Sequence, residues 1–409
     1  MHRLPACRSA LVLAVLVASN AVGQSDPATP PVSAPAAPPA VRERDAKETA
    51  TPARASRSTS IVGTAAPELA IDAWVKGGPI ASFEPGRIYV VEFWATWCGP
   101  CLASMGHLTH LAREFGSPAT EGGPPRVTIV GVTSRDDRGN TREAVEALVA
   151  DRGAGIDYLI AWDQGRTTWS RWMGADGRSG IPAAFVVGPT GTVEFSGHPS
   201  LLDLVLPPLV EGTWDRTKGA AEIAEAQQAQ QEADRVGRTD PKAGLELFKA
   251  FEARWPRYAT QFLMSRADLE RGAGLGDQAV ATVRSAIAKA EQVLDGPSLQ
   301  RIAARALSRA QDPAWLALAR DAIASANTAS GGRNATFLRL ESKILERGGD
   351  LQGALASLRK ALEHSDATTK PRLESELAAL EAKIAGNGAA EPPAGRTPSE
   401  PPSDAPAGR

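Results

Sequence analysis

Cys98 and Cys101 stand with only Gly99 and Pro100 between them, in the stretch "EFWATWCGPCLASMG" (92–106). A pair at this spacing supports a disulfide that opens and closes, a soft-metal site, or a peroxide-reactive thiol. A structural staple is a poor reason for it, because closing a two-residue gap removes little entropy from the unfolded chain. The β-branched, apolar run "IYVVEFWA" (88–95) reads as a buried strand, and the residues after the pair as a helix through Phe115. A helix that starts near Cys98 puts this sulfur at its N-terminus, where unpaired N–H groups and the helix dipole favour a thiolate. Cys101, one turn on, comes close enough to bridge it. Cys98 is therefore expected to be an exposed nucleophile and Cys101 the thiol that resolves what it captures. Pro100 suits the first helical turn, where a missing N–H costs nothing.

The elements around this turn alternate. "RVTIVGVT" (126–133) reads as a second buried strand, "TREAVEALVADRG" (141–153) as a helix, and "IDYLIAW" (156–162) as a further strand. "AAFVVG" (183–188) and "GTVEFSG" (191–197) read as a hairpin. "SLLDLVLPPLV" (200–210) reads as a closing helix disrupted by Pro207 and Pro208. This is an α/β layout, assigned to residues 61–215. From there to 385 the apolar period becomes helical, with breaks at "RTDPK", "GLGD", "DGPS", "QDPA", "SGG" and "RGGD". Residues 216–385 are thus an all-α region of short-looped helices. "ERGGDLQGALASLRKALEHS" (346–365) resembles half of a tetratricopeptide repeat. Ala286, Ala322 and Ala361 align at steps of 36 and 39 residues, near the 34 of that repeat. A degenerate tetratricopeptide-like array and a generic stack of helical hairpins both fit.

The chain has 409 residues, enough for two folded units plus tails. Its net charge of -2 supplies no field for nucleic acid or an acidic membrane, and nucleic acid is not an expected partner. The opening "MHRLPACRSALVLAVLVASNAVGQ" has basic residues, an apolar run and small residues before Gln24, the layout of a secretory signal over 1–23. Cys7 would leave with it, so the mature chain keeps Cys98 and Cys101 alone, in a compartment where disulfides persist. The Pro- and Ala-rich stretch 24–60 and the tail 386–409 lack apolar periodicity and read as disordered.

"WCGPC" after an apolar strand resembles the active site of thioredoxin. With "VGTAAPEL" (62–69) upstream and "GIPAAFVVGPTGTVEFSG" (180–197) downstream, residues 61–212 resemble the extracytoplasmic thiol-disulfide oxidoreductases of the TlpA/ResA type. The resemblance implies a thioredoxin-like fold and a periplasmic location. It also implies exchange with protein thiols and disulfides, in the reducing direction, with no cofactor beyond the Cys98–Cys101 disulfide. A membrane electron donor would recharge it, and the helical region would bind a partner of its own. Residue by residue, Cys98 would attack and Cys101 resolve. Glu92, at the end of the strand beneath the motif, would move the Cys101 proton. Pro182 would be a cis-proline facing the cysteines, Ile181 would offer backbone hydrogen bonds to the partner, and Trp97, Gly99 and Pro100 would flank it. Two positions depart from the pattern: Ser104 and Gly106 stand where many such proteins carry an acid and a helix-bending proline.

Other readings compete. Cys98 and Cys101 with His107, His110 or His198 have the donor types of a copper or zinc site, although helix geometry carries His107 and His110 away from the thiols. Peroxiredoxins share the fold, but they resemble one another in a threonine three residues before the reactive cysteine, and here Thr96 is two before. A scaffold whose helical half does the binding is a third reading. Metal ligation is not the expectation.

Overall fold

The structure, a computed structural model, describes residues 60–116 and 126–388. The expected signal segment, most of the Pro/Ala-rich linker and most of the C-terminal tail lie outside them.

The α/β half is built on one six-stranded sheet. Its strands are β1 (Ala73–Lys76), β2 (Ile88–Trp94), β3 (Val127–Ser134), β4 (Leu159–Asp163), β5 (Ala183–Val187) and β6 (Val193–Gly197), in the order β1-β4-β3-β2-β5-β6. β2, β3 and β4 run parallel, while β1, β5 and β6 are antiparallel to their neighbours. All seven residues of β2 are buried, as the apolar run demands for a strand covered on both faces. Its alternation splits the core. Ile88, Val90 and Trp94 face the helix that carries the cysteines, and Tyr89, Val91 and Phe93 face Trp172, Met173 and Phe185. Helices α1 (Gly99–Phe115), α2 (Arg142–Arg152), α3 (Thr167–Trp169) and α4 (Leu202–Val210) complete the half, with a π-turn at Ser170–Gly174. The edge strand β1 is not read from the sequence, because it carries no readable period: all four of its residues are half-buried. One expectation is corrected, since α4 is not disrupted: Pro207 and Pro208 lie inside it, Leu202, Val205, Leu206 and Leu209 hold it to the core, and Glu211 N–H still bonds the Pro207 carbonyl.

Among the described residues ten helices follow: α5 (Arg216–Gly237), α6 (Pro241–Arg254), α7 (Pro256–Ala259), α8 (Leu263–Gly272), α9 (Gly276–Gln292), α10 (Gly296–Leu307), α11 (Pro313–Ala329), α12 (Ala335–Arg347), α13 (Leu351–Glu363) and α14 (Lys370–Gly388). α14 runs past residue 385, where the tail was expected to begin. α5 pairs with α6, α8 with α9, α10 with α11, and α12 with α13. Ala286, Ala322 and Ala361 each lie buried in the second helix of a hairpin, where a small side chain lets the helices approach.

The two halves share packing. Ile223 and Ala226 of α5, Phe248 and Phe251 of α6, and Tyr258 of α7 belong to the same apolar cluster as β2, α1 and α4. Polar contacts reinforce it. Arg257 pairs with Glu114 and with Asp203 (3.2 Å), Gln261 Nε2 donates to Asp203 Oδ2 (2.6 Å), and Arg113 donates to the Gln292 carbonyl (2.9 Å).

Candidate functional site

Cys98 is the N-cap of α1, and its sulfur accepts the backbone N–H of Cys101 at 3.3 Å. The two sulfurs are joined in a disulfide. Gly99 and Pro100 are exposed in the first turn, which carries no acidic residue to oppose a thiolate. Cys98 itself is only 4% exposed and Cys101 is fully buried, so the expectation of an exposed Cys98 is corrected for this disulfide form. The bond to Cys101, the flanking Trp97 and Ile181, and the Ile181 carbonyl 3.8 Å from Cys98 Sγ account for the burial.

Sheet register brings the second element to the sulfurs. β5 runs antiparallel to β2 with Ala183 opposite Phe93, so the residues just before β5 sit at the C-terminal end of β2, beside the cysteine turn. These are Ile181 and Pro182, joined by a cis peptide bond and both half-buried.

Glu92 lies within β2, opposite Gly131 on β3 and Ala184 on β5, rather than at the strand's end. Its parity with Val90 and Trp94 puts it on the α1 face of the sheet, the side that holds both cysteines. It is 1% exposed and neither carboxyl oxygen has a hydrogen-bond partner. Burial pushes its pKa up to about 8. The Tyr158 hydroxyl and Trp94 Nε1 are also buried without partners. Gly131 makes the room for this group: a Cβ there would stand 3.0 Å from Trp94 Nε1 and 3.2 Å from the Tyr158 ring. Burial and the Glu92 charge both raise the Tyr158 pKa.

The cysteine turn is held by residues that the sequence reading did not single out. The buried Asn140 accepts from Thr96 N–H (2.8 Å) and Thr96 Oγ1 (2.9 Å), and donates to Thr133 Oγ1 (2.8 Å) and the Ser134 carbonyl (2.6 Å). Trp97 Nε1 donates to Asp136 Oδ2 (2.7 Å), and the Arg138 guanidinium lies 3.4 Å from the Trp97 ring centre. The available signal was positional. "RDDRGN" (135–140) follows a parallel strand, and loops at the carboxyl ends of such strands are where α/β folds build sites.

Gly106 has a steric role. A Cβ on it would fall 2.3 Å from Asp295 Oδ2, so this position on α1 is where the N-cap of α10 docks. Ser104, at the other departure from the family pattern, returns its hydroxyl to the Pro100 carbonyl. The histidines are engaged elsewhere. His107 sits 3.6 Å from Asp203, His110 3.5 Å from Glu114, and His198 Nδ1 accepts the Ser200 N–H. Burial, then Lys289, push the His107 pKa down to about 3, so its contact with Asp203 joins a neutral ring to the acid. Among the described residues, no three His, Cys, Asp or Glu side chains gather as a metal site.

The α/β half is thus a thioredoxin-like domain that carries a CxxC disulfide at the start of its first long helix. No family model matches the chain. It is 27% identical over 156 residues to Protein FixW of Rhizobium leguminosarum, covering 37% of this chain and 67% of that one. It is 27% identical over 164 residues to the thiol:disulfide interchange protein HelX of Rhodobacter capsulatus, covering 38% and 81%. Among solved structures, a thiol-disulfide isomerase from Corynebacterium glutamicum is 20% identical, covers 35% of this chain and 94% of that one, and has a TM-score of 0.29.

Proposed function

We infer that this protein is an extracytoplasmic thiol–disulfide oxidoreductase that exchanges disulfides with protein partners, in the reducing direction. The observation that carries this is the Cys98–Cys101 disulfide at the N-terminus of α1, with Ile181–Pro182 beside it and an unpaired Glu92 on the α1 face of the sheet. The relative named as a thiol:disulfide interchange protein supports it, and the basic, apolar and small-residue order of residues 1–23 supports export. A periplasmic location follows on this reading, with a membrane-bound donor returning the electrons.

The cycle starts from the reduced pair. The Cys98 thiolate, favoured by the Cys101 N–H and the helix dipole, attacks one sulfur of the partner's disulfide. A bond forms from Cys98 to that sulfur, and the partner's other sulfur leaves as a thiolate. Cys101 gives its proton to Glu92 in its ionised form, the minor form at neutral pH, and attacks the Cys98 sulfur, releasing the partner's second thiolate. The partner gains two electrons and, with two protons, two thiols. The protein loses two electrons and holds the Cys98–Cys101 disulfide. Pro182 and the Ile181 backbone align the partner chain alongside Trp97, Gly99 and Pro100. The chemistry needs no further cofactor.

The test is Cys101→Ser in the exported protein. With the resolving sulfur gone, partners should accumulate as mixed disulfides on Cys98 and be identified by mass spectrometry after thiol quenching. Recovery of no protein adduct, from cells where the variant is exported and folded, would sink the assignment.

A further inference from the structure

A cleft of about 790 Å³ opens beside the cysteine turn, and both halves build it. Gly99 and Pro100, in the first turn of α1, form one wall. The first two turns of α10 form the other, through Pro297 and Arg301, together with the start of α12, through its N-cap Asn334 and Phe337. Three helix N-termini therefore meet around one space, each adding partial positive charge. Arg152 and Arg301 line it as well, and no carboxylate does. Asp295, whose charge acts on both arginines, is buried and occupied in capping α10, where it accepts the Ser298 N–H. Among the described residues, neither Arg152 nor Arg301 forms an ion pair. Arg301 donates to the neutral Ser298 hydroxyl alone. Two arginines without carboxylate partners, in a space that also exposes proline and borders Leu102 and Phe337, match an extended peptide with acidic side chains and an apolar contact.

We propose that the cleft receives the segment of the partner protein next to its target cysteine, and that it selects segments bearing aspartate or glutamate through Arg152 and Arg301. The helical half is then part of the substrate site, docked against α1 at Gly106 so that its helix ends stand across the cleft from Gly99 and Pro100. This rests on the oxidoreductase reading and adds the class of partner sequence to it.

The test uses the full chain, pre-reduced, in single turnover at low salt. Two peptides carry one cysteine as a mixed disulfide with 2-mercaptoethanol and differ only in three flanking residues, glutamate in one and lysine in the other. The acidic peptide should be reduced about tenfold faster. High salt should bring the ratio of rates towards one, and so should Arg152→Gln with Arg301→Gln. Equal rates in the native protein, or a preference that survives the double substitution, overturn the proposal while hydroxyethyl disulfide is still reduced. Failure of the native protein to reduce hydroxyethyl disulfide overturns the oxidoreductase reading, and the proposal falls with it.

Discussion

The two halves of the molecule treat buried polar groups differently. On the sheet face that packs against the cysteine helix, the α/β half keeps a carboxyl group, a phenol and an indole N–H buried without partners, in Glu92, Tyr158 and Trp94. Six of the helices in the helical half are capped by the side chain at their own N-terminus, while α7, α8 and α9 are not. Asp215, Asp240, Asp295, Asp312, Asn334 and Asp350 each cap the helix that follows by accepting backbone N–H groups. That half is not free of orphans (Asn327 has neither side-chain atom paired), but none of its orphans is a buried carboxyl. An unpaired buried acid works against folding, so its place beside a reactive pair points to chemistry, whereas local capping points to stability.

The largest expected effect tests this contrast at Glu92. The carboxyl has a folded pKa of about 8 against an ordinary 4.5, so between those values the folded protein holds a proton that the unfolded chain releases. Glu92's share of stability is then full below about pH 4.5 and is lost as pH rises towards 8, by about 1.4 kcal/mol per unit at most. Glu92→Gln should remove that slope, making the oxidised variant more stable than the native protein at pH 8, and should slow reduction of a disulfide by about 10²-fold. Denaturant midpoints at pH 5 and pH 8 check the first expectation and single-turnover rates the second. Parallel pH profiles for the two proteins would remove the buried acid from the account. His107 works in the opposite direction. Its folded pKa of about 3 lies below the ordinary 6.5, so its share of stability is full above 6.5 and lost as pH falls towards 3.

Next comes Asn140, which separates unpaired groups from paired ones within the same half. Asn140→Ala leaves the Thr96 N–H without its acceptor and should cost about 1–3 kcal/mol. It should also slow exchange, because the turn that leads into Cys98 loses its anchor. Unchanged exchange in a measurably destabilised variant would show that the anchor serves the fold alone.

What was readable in the sequence follows the same division. Strands β2 and β3 announced themselves because both of their faces are covered, so apolar and β-branched residues dominate both parities. Glu92 stood out for the same reason, as an acid inside such a run. Asn140 did not, because an asparagine after Gly139 reads first as a turn residue. Its role depends on Thr96, 44 residues earlier, which no local pattern reports. Gly106 was legible only as a weak point in a helix. Its physical role comes from Asp295, in the other half of the chain. The helices of that half were readable one by one through their period and caps. Their docking on α1 and α4 was not, because Arg113, Gln261 and Asp295 make polar contacts that leave no periodic trace.

Gly106→Ala sharpens the comparison at the seam between the halves. Helix propensity alone favours alanine by about 1 kcal/mol. The new methyl would stand within 2.5 Å of Asp295 Cβ and closer still to its carboxyl, so α10 must move. A net loss of about 1–3 kcal/mol is expected, with faster proteolysis between the halves. Gly276→Ala, on α9 with nothing within 4 Å of the new atom, is the control and should stabilise by roughly 0.5 kcal/mol. If both changes stabilise, α10 is not held against α1 at this point.

The smallest effect is expected at Asp350, which accepts the Gly353 N–H at 2.8 Å and starts α13. Asp350→Ala should cost about 1 kcal/mol, read as a lower thermal midpoint. Rates of disulfide exchange should not change, because α13 packs on α12 and α14 and contributes nothing to the cleft beside Cys98. A slower exchange in this variant would mean that capping in the outer hairpins sets the position of α10 and α12 at the cleft. The contrast between a half built for stability and a half built for chemistry would then give way to one coupled array, in which local helix order reaches the cysteines through the wall it supports.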